Sequence, residues 1–549
     1  MVNIFIFQSR RIGDFFQSVP LMESLFNPDN NVKQTLYILA DESVTGISEI
    51  FDKNVNFITY KDIFGIFASD NHISLNTLSG LSASDFLLFL NKFTLFLPKY
   101  LEKYDIAVNL NYDNLNGLFI NFFKNNKKGP IVYNRGHKNN ETILISGTSN
   151  YLFNAVRSRN LNRINIVDIF SLIGTDKSAE IKYSYDIIKL KSKKISANIK
   201  INTVSKQVRI CISIGATSAK RIWPADYYAK LIELIGNNFD SEITLAGTKD
   251  EVDAALEIKK KLSPEINLLD LTGKTTLSEL VYLIKDFDLL ISADTGTLHI
   301  AQIFNIPTVS IFTGNANFYE TGPHIKDSLV IYSKIDCYPC YEHEPCRFNY
   351  ACKNDIKPSD VYDLVQLQLK TDKTDLKVIK IGIKNNIKKG NFSVSFCEHF
   401  NSVHFYPFVK EEINKNNLAS EVLKFCWLTV LSGDNVKPDF TKILRNTEKY
   451  YRINKITLKS LQAEISYIKA VFENGRDSFG LSGEDVNKDS AYFEKFKEYV
   501  KSIGNNYDYL RLACDYFARE IESAGIKKGF NDIIMLLNNA TQILNIWNS

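Results

Sequence analysis

The stretch from Phe287 to Gly314, FDLLISADTGTLHIAQIFNIPTVSIFTG, predicts a buried strand, a turn of small residues and a helix in immediate succession. The strand is expected over Asp286–Ile291 and the turn over Ser292–Thr297, with the helix beginning before His299. Small residues allow a ligand close to the backbone, and the N–H groups at a helix start favour an anion such as phosphate. A phosphate-bearing ligand is therefore the first hypothesis, and an ordinary strand-to-helix turn is the alternative.

Apolar β-type runs alternate with helical patterns on both sides of a polar segment. Before it, strands are predicted at Asn3–Phe7, Thr35–Ala40, Val55–Tyr60, Ile106–Leu110 and Ile131–Asn134. After it, strands are predicted at Val208–Ile214, Ser241–Ala246, Ile266–Asp270, Asp288–Ile291, Thr308–Phe312 and Leu329–Tyr332. Such alternation is typical of βαβ units with a parallel sheet. Residues 189–206, rich in Lys, Ser and Asn, are the predicted linker between two α/β series.

The composition is that of a multidomain enzyme with balanced charge. The chain has 549 residues, 45% of them hydrophobic. From its length alone, about three or four domains are expected. A net charge of +4 from 66 basic and 62 acidic residues gives no reason to expect nucleic acid as a partner. No run of about 18 uncharged apolar residues occurs, and the start lacks the pattern of a secretory signal, so we expect a cytoplasmic protein.

Spaced blocks of the sequence resemble glycosyltransferase family 9, the heptosyltransferase-like enzymes of bacterial surface glycan synthesis. The similar blocks are VNIFIFQSRRIGDFFQSVPLMESL (residues 2–25), SIGATSAKRIWPADYYAKLIELI (213–235), LTGKTTLSELVYLI (271–284) and DTGTLHIAQIFNIPTVSIFTG (294–314). They follow the family's order and cover roughly residues 1–370. The part from about Asp375 onward resembles no family that we can name.

The resemblance implies a GT-B fold, in which two Rossmann-like α/β domains face each other across a cleft. The expected division is an acceptor-side domain over residues 1–190, a nucleotide-sugar donor domain over 205–372, and a mostly helical extension over 375–549 that begins with a short β segment. Ligands in open α/β sheets bind beyond the carboxyl ends of the strands, where the matched blocks lie.

Asp14 follows the first strand, and the family's matching aspartate is the general base that takes a proton from the acceptor hydroxyl. A base is needed because a sugar hydroxyl is a poor nucleophile. The alternative is a helix cap that stabilises by about 1 kcal/mol. Gly13 permits the tight turn. Gln8 stands where the family usually has Lys or Arg, so Arg10 or Arg11 is expected to supply that charge to a phosphate or to the acceptor.

The second block places hydroxyl and basic side chains after a strand. Thr217, Ser218, Lys220 and Arg221 suit a diphosphate, whose charge grows as the glycosidic bond breaks. The family's basic residue stands two positions before a Trp-Pro pair, which selects Arg221 ahead of Lys220. For either cation the alternative is a solvated charge at a helix start.

The hallmark block carries the rest of the donor site that the resemblance implies. Asp294 resembles the family's donor-site acid, Thr295, Gly296 and Thr297 would offer N–H groups to the diphosphate, and His299 would lie near the phosphates or the donor sugar. A capping or core histidine is the alternative. Gly247 and Glu251 lie where GT-B enzymes contact the nucleotide.

Cys337, Cys340, Cys346 and Cys352 fall within the short segment CYPCYEHEPCRFNYAC. Their spacing suits a structural metal site of thiolates, with zinc or iron as the ion, and free thiols or a redox pair are the alternatives. No cofactor is expected for catalysis itself.

Two further segments carry weaker patterns. LKVIKIGI and FSVSF, between Leu376 and Cys397, alternate as strands do, and the chain from Asn414 onward reads as amphipathic helices. Ser84–Tyr100 is an apolar helix with two lysines, either buried or in contact with a membrane surface where lipid-linked acceptors reside.

The expected reaction is metal-independent, inverting transfer of a sugar from a nucleotide-diphosphate sugar to a hydroxyl of a surface glycan such as the lipopolysaccharide core. The resemblance implies ADP-heptose as the donor. A protein Ser or Thr acceptor is one alternative. Others are a non-catalytic nucleotide-sugar-binding or scaffold protein and an epimerase or hydrolase of similar fold. The sequence does not predict an oligomeric state.

Overall fold

A computed structural model describes most of the chain. The described residues are 2–9, 11–26, 34–59, 62, 104–121, 123, 126–134, 140–144, 147–175, 183–190, 207–341, 344–370, 373–399, 402–432, 445, 447–478, 491–523 and 526–548. Within these ranges, no helix combines the length and the apolarity that a membrane crossing needs.

The first sheet is parallel and has the strand order β3-β2-β1-β4-β5. Its strands are β1 (Val2–Gln8), β2 (Gln34–Ala40), β3 (Val55–Ile58), β4 (Ile106–Asn109) and β5 (Asn126–Lys128). The middle strand β1 is an apolar run whose residues from Ile4 onward are buried, as expected for a strand covered on both faces. This confirms the predicted parallel sheet at the start of the chain.

The second sheet has eight strands in the order β10-β9-β8-β11-β12-β13-β14-β15. The parallel part comprises β8 (Val208–Ser213), β9 (Ser241–Ala246), β10 (Leu268–Asp270), β11 (Leu289–Ser292), β12 (Thr308–Phe312) and β13 (Leu329–Ser333). β14 (Phe392–His399) and β15 (Val403–Pro407) extend it as antiparallel strands. Because β14 pairs with β13, the sheet continues past the predicted boundary at residue 372.

Two short strand pairs lie outside these sheets. β6 (Pro130–Asn134) pairs with β7 (Asn140–Leu144) as an antiparallel hairpin, and β16 (Glu411–Glu412) pairs with β17 (Tyr451–Arg452). The prediction of Ile131–Asn134 as a strand is therefore right, but this strand does not join the parallel sheet, whose edge is β5.

Helices cover the sheets and form the C-terminal part. In chain order they are α1 (Ile12–Gln17), α2 (Val19–Leu25), α3 (Glu42–Thr45), α4 (Asn114–Asn121), α5 (Gly147–Arg157), α6 (Ile166–Thr175), α7 (Ala225–Asn238), α8 (Val252–Lys259), α9 (Leu277–Ile284), α10 (Gly296–Ile303), α11 (Phe318–Thr321), α12 (Ala351–Asp355), α13 (Pro358–Leu369), α14 (Lys373–Lys389), α15 (Lys415–Ser432), α16 (Lys455–Ser478), α17 (Ala491–Asn506), α18 (Arg511–Ser523) and α19 (Ile526–Asn548).

The segment LKVIKIGI is helical, so its prediction as a strand was wrong. It lies in α14, whose Ile383 and Ile387 are buried four residues apart. That spacing places both side chains on one helix face, which packs against the second sheet's core. FSVSF does form a strand, β14. Residues 84–100, and residues 191–206 of the predicted linker, lie outside the described residues.

The C-terminal helices pack into the same hydrophobic core as the first sheet. One continuous cluster of buried residues joins β1, α5 and α6 to α15, α16, α18 and α19. Trp427 of α15 lies between Tyr151 of α5 and Tyr516 of α18, with ring-centroid distances of 5.1 Å and 4.8 Å. The C-terminal region is thus part of the main core.

Candidate functional site

The helix that follows β1 and the helix that follows β11 meet at two glycines. A Cβ atom on Gly13 of α1 would lie 3.1 Å from His299 Cδ2, and one on Gly296 of α10 would lie 3.0 Å from Ile12 Cγ2. Both distances are tighter than ordinary contacts. Glycine at each position therefore allows the two helix starts to approach each other, and the predicted catalytic and donor residues come together there.

Asp14 lies in the first turn of α1 and faces charged groups from both halves of the chain. Burial raises the pKa of its carboxyl group above the ordinary value, and Asp294 adds to this, whereas Arg11, His299 and Arg159 oppose it. A carboxylate with a raised pKa suits proton transfer near neutral pH. The structure thus gives Asp14 surroundings in which a general base can work.

Gln8 contacts the first turn of α1, which contains Asp14. Its buried Nε2 donates a hydrogen bond of 3.3 Å to the main-chain oxygen of Asp14. At the position where the family usually has a cation, this chain therefore has a neutral contact to the main chain. Arg11 is exposed and interacts with Asp14, while Arg10 lies outside the described residues.

Arg221 and Asp294 form a buried ion pair beyond the carboxyl ends of the neighbouring strands β8 and β11. Arg221 Nη1 donates to Asp294 Oδ2 at 2.8 Å and to the Asp294 main-chain oxygen at 2.9 Å. His299 Nε2 lies 3.7 Å from the other carboxylate oxygen. Burial acts to raise the pKa of Asp294, but contact with His299 and the charge of Arg221 outweigh it and lower the pKa. Asp294 is therefore ionised, and its carboxylate contacts both Arg221 and His299.

The start of α10 has the geometry expected for the donor-site turn. Thr295 is its N-cap residue but forms no side-chain cap; its Oγ1 instead lies 2.9 Å from Ser292 Oγ. Ser213 Oγ of β8 lies within 3.4 Å of Thr297 Oγ1. Gly296 begins the helix directly beside α1, so a ligand at this turn would also lie close to Asp14.

Lys220 points away from that turn. Its Nζ donates to the main-chain oxygens of Tyr341, at 2.6 Å, and of Glu344, and the side chain is buried. Lys220 therefore contacts the cysteine-rich loop, residues 337–352, in place of the predicted phosphate. Thr217 is exposed and Ser218 partly exposed, next to Arg221.

Glu251 caps a helix start at the end of β9. Its Oε2 accepts hydrogen bonds of 2.5 Å from both the N–H and the Oγ1 of Thr248. A Cβ atom on Gly215 would lie 2.4 Å from Glu251 Cδ, and one on Gly247 would lie 3.3 Å from Glu251 Cβ. The two predicted nucleotide residues, Gly247 and Glu251, are thus neighbours beyond β8 and β9, and Glu251 has a structural role there.

The cysteine-rich loop packs beside the loop that follows β12. Cys340 N–H donates to Gly314 O at 3.0 Å, and burial raises the pKa of the Cys337, Cys340 and Cys352 thiols. Among the described side chains, no group of three or more Cys, His, Asp and Glu is arranged to hold a metal ion. The zinc or iron predicted at these cysteines therefore stays a prediction.

Arg159, Glu320 and Asn315 were missed by the sequence reasoning. Arg159 interacts with Asp14 and forms an ion pair with Glu320, yet it lies between α5 and α6 in no recognisable motif. No local sequence signal could have identified Arg159, because its hydrogen-bond partner Asn315 lies more than 150 positions away along the chain.

Comparisons with known proteins were made for the whole chain. Residues 166–351 match the family model Glycosyltransferase family 9 (heptosyltransferase). This part of the chain is similar to glycosyltransferase family 9. The matched residues include Arg221, Asp294 and His299, which form the ion-pair cluster, but not Asp14.

Curated proteins similar to this chain include lipooligosaccharide heptosyltransferases. It is 30% identical to lipooligosaccharide heptosyltransferase 2 of Campylobacter jejuni over 199 residues, which are 36% of this chain and 61% of that protein. It is 28% identical to the Haemophilus influenzae protein of the same name over 251 residues, which are 43% of this chain and 67% of that one. The alignments thus span 61% of the first of these relatives and 67% of the second.

Among solved structures, the chain is similar to the Escherichia coli ADP-heptose lps heptosyltransferase II. The TM-score is 0.46 at 16% identity, and the similarity covers 67% of this chain and 98% of that one.

Proposed function

We propose that the protein is an inverting glycosyltransferase that moves a sugar from a nucleotide-diphosphate sugar to a hydroxyl group. The observation that carries the proposal is the position of Asp14, which lies against the start of α10 beside His299 and the Arg221–Asp294 pair. A base and a site suited to a diphosphate are needed at one place for this reaction. The curated relatives are named as heptosyltransferases, which supports heptose as the sugar.

The reaction proposed is a single displacement. Asp14 takes the proton of the acceptor hydroxyl as its oxygen forms a bond to the anomeric carbon of the donor sugar. The bond between that carbon and the diphosphate oxygen breaks, and the electron pair leaves with the nucleoside diphosphate. Attack from the face opposite the leaving group inverts the configuration. Arg221 and the N–H groups at the start of α10 would stabilise the negative charge of the diphosphate.

The wider arrangement is also proposed. We infer a GT-B layout, with an acceptor-side domain containing the first sheet and a donor domain containing the second. The donor proposed is ADP-heptose, and the acceptor is the core of a lipid-linked surface glycan at the inner face of the membrane. Catalysis is proposed to need no metal, and a structural zinc or iron at the cysteine-rich loop is a separate proposal that metal analysis of the purified protein would test.

The decisive experiment compares the wild type with Asp14→Asn in two assays. We expect Asp14→Asn to lower ADP release from ADP-heptose with a core-oligosaccharide acceptor by at least about 100-fold, because a positioned base contributes that much. We expect the ADP-induced rise in melting temperature to stay unchanged, because Asn is close in size and the donor groups remain.

Matched variants make the outcome interpretable. Arg221→Ala should reduce the ADP-induced shift, whereas Lys230→Ala, on the outer surface of α7, should leave both assays unchanged. Full turnover in Asp14→Asn would refute the base assignment. A thermal response to UDP or GDP compounds but not to ADP would refute the donor. Transfer to a Ser or Thr peptide instead of the oligosaccharide would refute the acceptor.

A further inference from the structure

The main chain just before Arg221 packs directly against the loop that follows β12. Thr313 Oγ1 donates a hydrogen bond of 3.2 Å to the main-chain oxygen of Lys220. A Cβ atom on Gly314 would lie only 2.5 Å from both the Cβ and the main-chain oxygen of Lys220, and Gly314 has a φ of +63°. Glycine meets both the steric and the conformational demand of this position. The main chain of Lys220 is therefore fixed against the end of β12.

The side chain of Lys220 joins this main chain to the cysteine-rich loop. Its Nζ donates to the main-chain oxygens of Tyr341, at 2.6 Å, and of Glu344, and the residue is only 8% exposed. The loop in turn contacts Gly314, whose main-chain oxygen accepts a hydrogen bond of 3.0 Å from the N–H of Cys340. Lys220 is thus held by the cysteine-rich loop as well as by the loop after β12.

A second lysine holds the residue before Lys220. Lys353 of α12 donates from Nζ to the main-chain oxygen of Ala219 at 2.5 Å, and the same ammonium group lies 4.4 Å from the centroid of the Tyr350 ring. An ammonium group has three N–H donors on a flexible stem, which suits main-chain oxygens in irregular loops. Both residues before Arg221 are therefore anchored through lysine side chains.

Arg221 has a buried N–H group that no described residue accepts. Its Nη1 pairs with Asp294, whereas its Nε is buried without a hydrogen-bond acceptor in the part of the chain that the structure describes. Buried N–H groups are normally paired, and an oxygen of a bound diphosphate would supply the acceptor. Because a guanidinium group is planar and its donors point in fixed directions, a displaced main chain would misalign them with that oxygen.

We propose that Lys220 is a positioning residue for the donor site. By tying the cysteine-rich loop to the main chain before Arg221, it fixes the guanidinium group that receives the diphosphate of the donor. The proposal rests on the proposed function, because it takes Arg221 as a diphosphate contact. It goes further by giving the cysteine-rich loop a role in donor binding that requires no contact between the loop and the donor.

The first measurement is the dissociation constant for ADP of the wild type and of Lys220→Met. Methionine keeps an unbranched stem in the buried space but removes the N–H donors. We expect Lys220→Met to bind ADP on the order of 10-fold more weakly, because a hydrogen bond from a charged donor at Arg221 is lost or misaligned. Ligand-observed NMR follows the binding, since it also detects dissociation constants in the millimolar range.

The second measurement separates positioning from direct contact with phosphate. The background is Arg221→Gln/Asp294→Asn, which removes the ion pair without leaving a buried charge. If Lys220 acts through Arg221, adding Lys220→Met to this background should weaken ADP binding by less than about twofold more. If Lys220 contacts the phosphate itself, its full effect should persist in the background.

Three further variants complete the set. Lys353→Met should also weaken ADP binding, because it releases Ala219, and Lys220→Arg should bind ADP more tightly than Lys220→Met, because it keeps N–H donors. Lys377→Met is the matched control for the lost charge, since Lys377 is exposed on α14, and it should leave ADP binding unchanged. Circular dichroism at the titration temperature shows whether each variant is folded.

Wild-type affinity in folded Lys220→Met overturns the proposal, and a lower melting temperature with unchanged affinity would mean that Lys220 is merely structural. Full persistence of the Lys220→Met effect in the background also overturns it. If Lys220→Met does not fold, or if the background binds ADP too weakly to measure, Lys353→Met decides, and unchanged affinity there overturns the proposal. Wild-type affinity of the background itself would instead refute the donor site of the proposed function.

Discussion

Arg221 and Asp294 form a buried ion pair in which each side chain compensates the charge of the other. Both side chains are about nine-tenths buried, and the contact is 2.8 Å long. A charge taken out of water is stable only while its partner is present, so each residue depends on the other. His299 lies near the same carboxylate and faces Gly13, the residue before Asp14. The Arg221–Asp294 pair therefore also influences His299.

Arg221→Gln should therefore destabilise the protein by about 3 to 5 kcal/mol near neutral pH, because it leaves the Asp294 carboxylate buried without its main partner. The double variant Arg221→Gln/Asp294→Asn should recover part of that loss, since the uncompensated charge is gone. Thermal unfolding of the wild type, both single variants and the double variant measures the coupling. Strictly additive losses would contradict the prediction.

The pH dependence of this loss follows from the sign of the pKa shift. The pKa of Asp294 is lowered from 3.8 in the folded protein, so the pair stabilises above that value and the stabilisation is lost as the pH falls through the folded pKa. The stability deficit of Arg221→Gln should accordingly shrink below about pH 4.

At the scale of elements, the contact between α1 and α10 is the decisive feature. Each helix follows a central strand of its own sheet, β1 or β11, so the two carboxyl edges face each other at this contact. The two helices can approach because both have glycine in the first turn. The close approach places Asp14 next to the turn expected to bind the diphosphate.

Gly296→Ala should lower transfer activity more than it lowers stability. Its new Cβ would lie 3.0 Å from Ile12 Cγ2, so α1 and Asp14 must shift by some tenths of an ångström. Ile12→Ala in the same chain should restore activity in part. Gly382→Ala in α14 is the matched control, because nothing lies within 4 Å of its new Cβ, and it should stabilise the helix by about 0.5 to 1 kcal/mol.

The measurement is kcat/KM together with thermal unfolding for the wild type and these three variants. Equal activity of Gly296→Ala and the wild type would show that the approach of the two helices is not needed in the transition state.

At the scale of the whole molecule, the C-terminal helices are joined to the first half of the chain by buried polar contacts as well as by the apolar core. Asn150 Nδ2 of α5 donates to Tyr516 O at 3.0 Å and to Glu520 Oε2 at 2.8 Å, both in α18. Lys528 of α19 lies 3.0 Å from the other oxygen of Glu520. Through these contacts the C-terminal helices hold α5 in place, and Arg159 follows α5 in the chain.

Asn150→Ala should destabilise the whole chain by about 1 to 3 kcal/mol, because it leaves buried hydrogen-bonding groups without partners. We also expect it to lower transfer activity, since Arg159 follows α5. Asn238→Ala, at the exposed end of α7, is the control and should change stability by less than about 0.5 kcal/mol. Unfolding followed by tryptophan fluorescence reports on Trp427 in this core together with Trp223 and Trp547. Two separate transitions in the wild type would contradict a shared core.

The strands could be predicted because each is a local apolar run between polar residues, and the order of the runs implied parallel sheets. Asp14, Arg221, Asp294 and His299 could be named because they stand at fixed places in short motifs after strands. LKVIKIGI was misread because its alternation of apolar and polar residues resembles that of a strand. The burial of Ile383 and Ile387 at helical spacing reveals its actual structure.

The sequence alone thus determined the α/β class, the positions of most strands and the motif residues, because these depend on neighbours within about ten positions along the chain. Only the tertiary structure decided that Lys220 contacts the cysteine-rich loop, that β14 and β15 extend the second sheet, and that Arg159 pairs with Glu320. The physical reason is distance along the chain. A charge or a strand edge takes its partner from whatever folding brings near, and a partner 161 positions away, as Glu320 is from Arg159, leaves no mark on the local pattern.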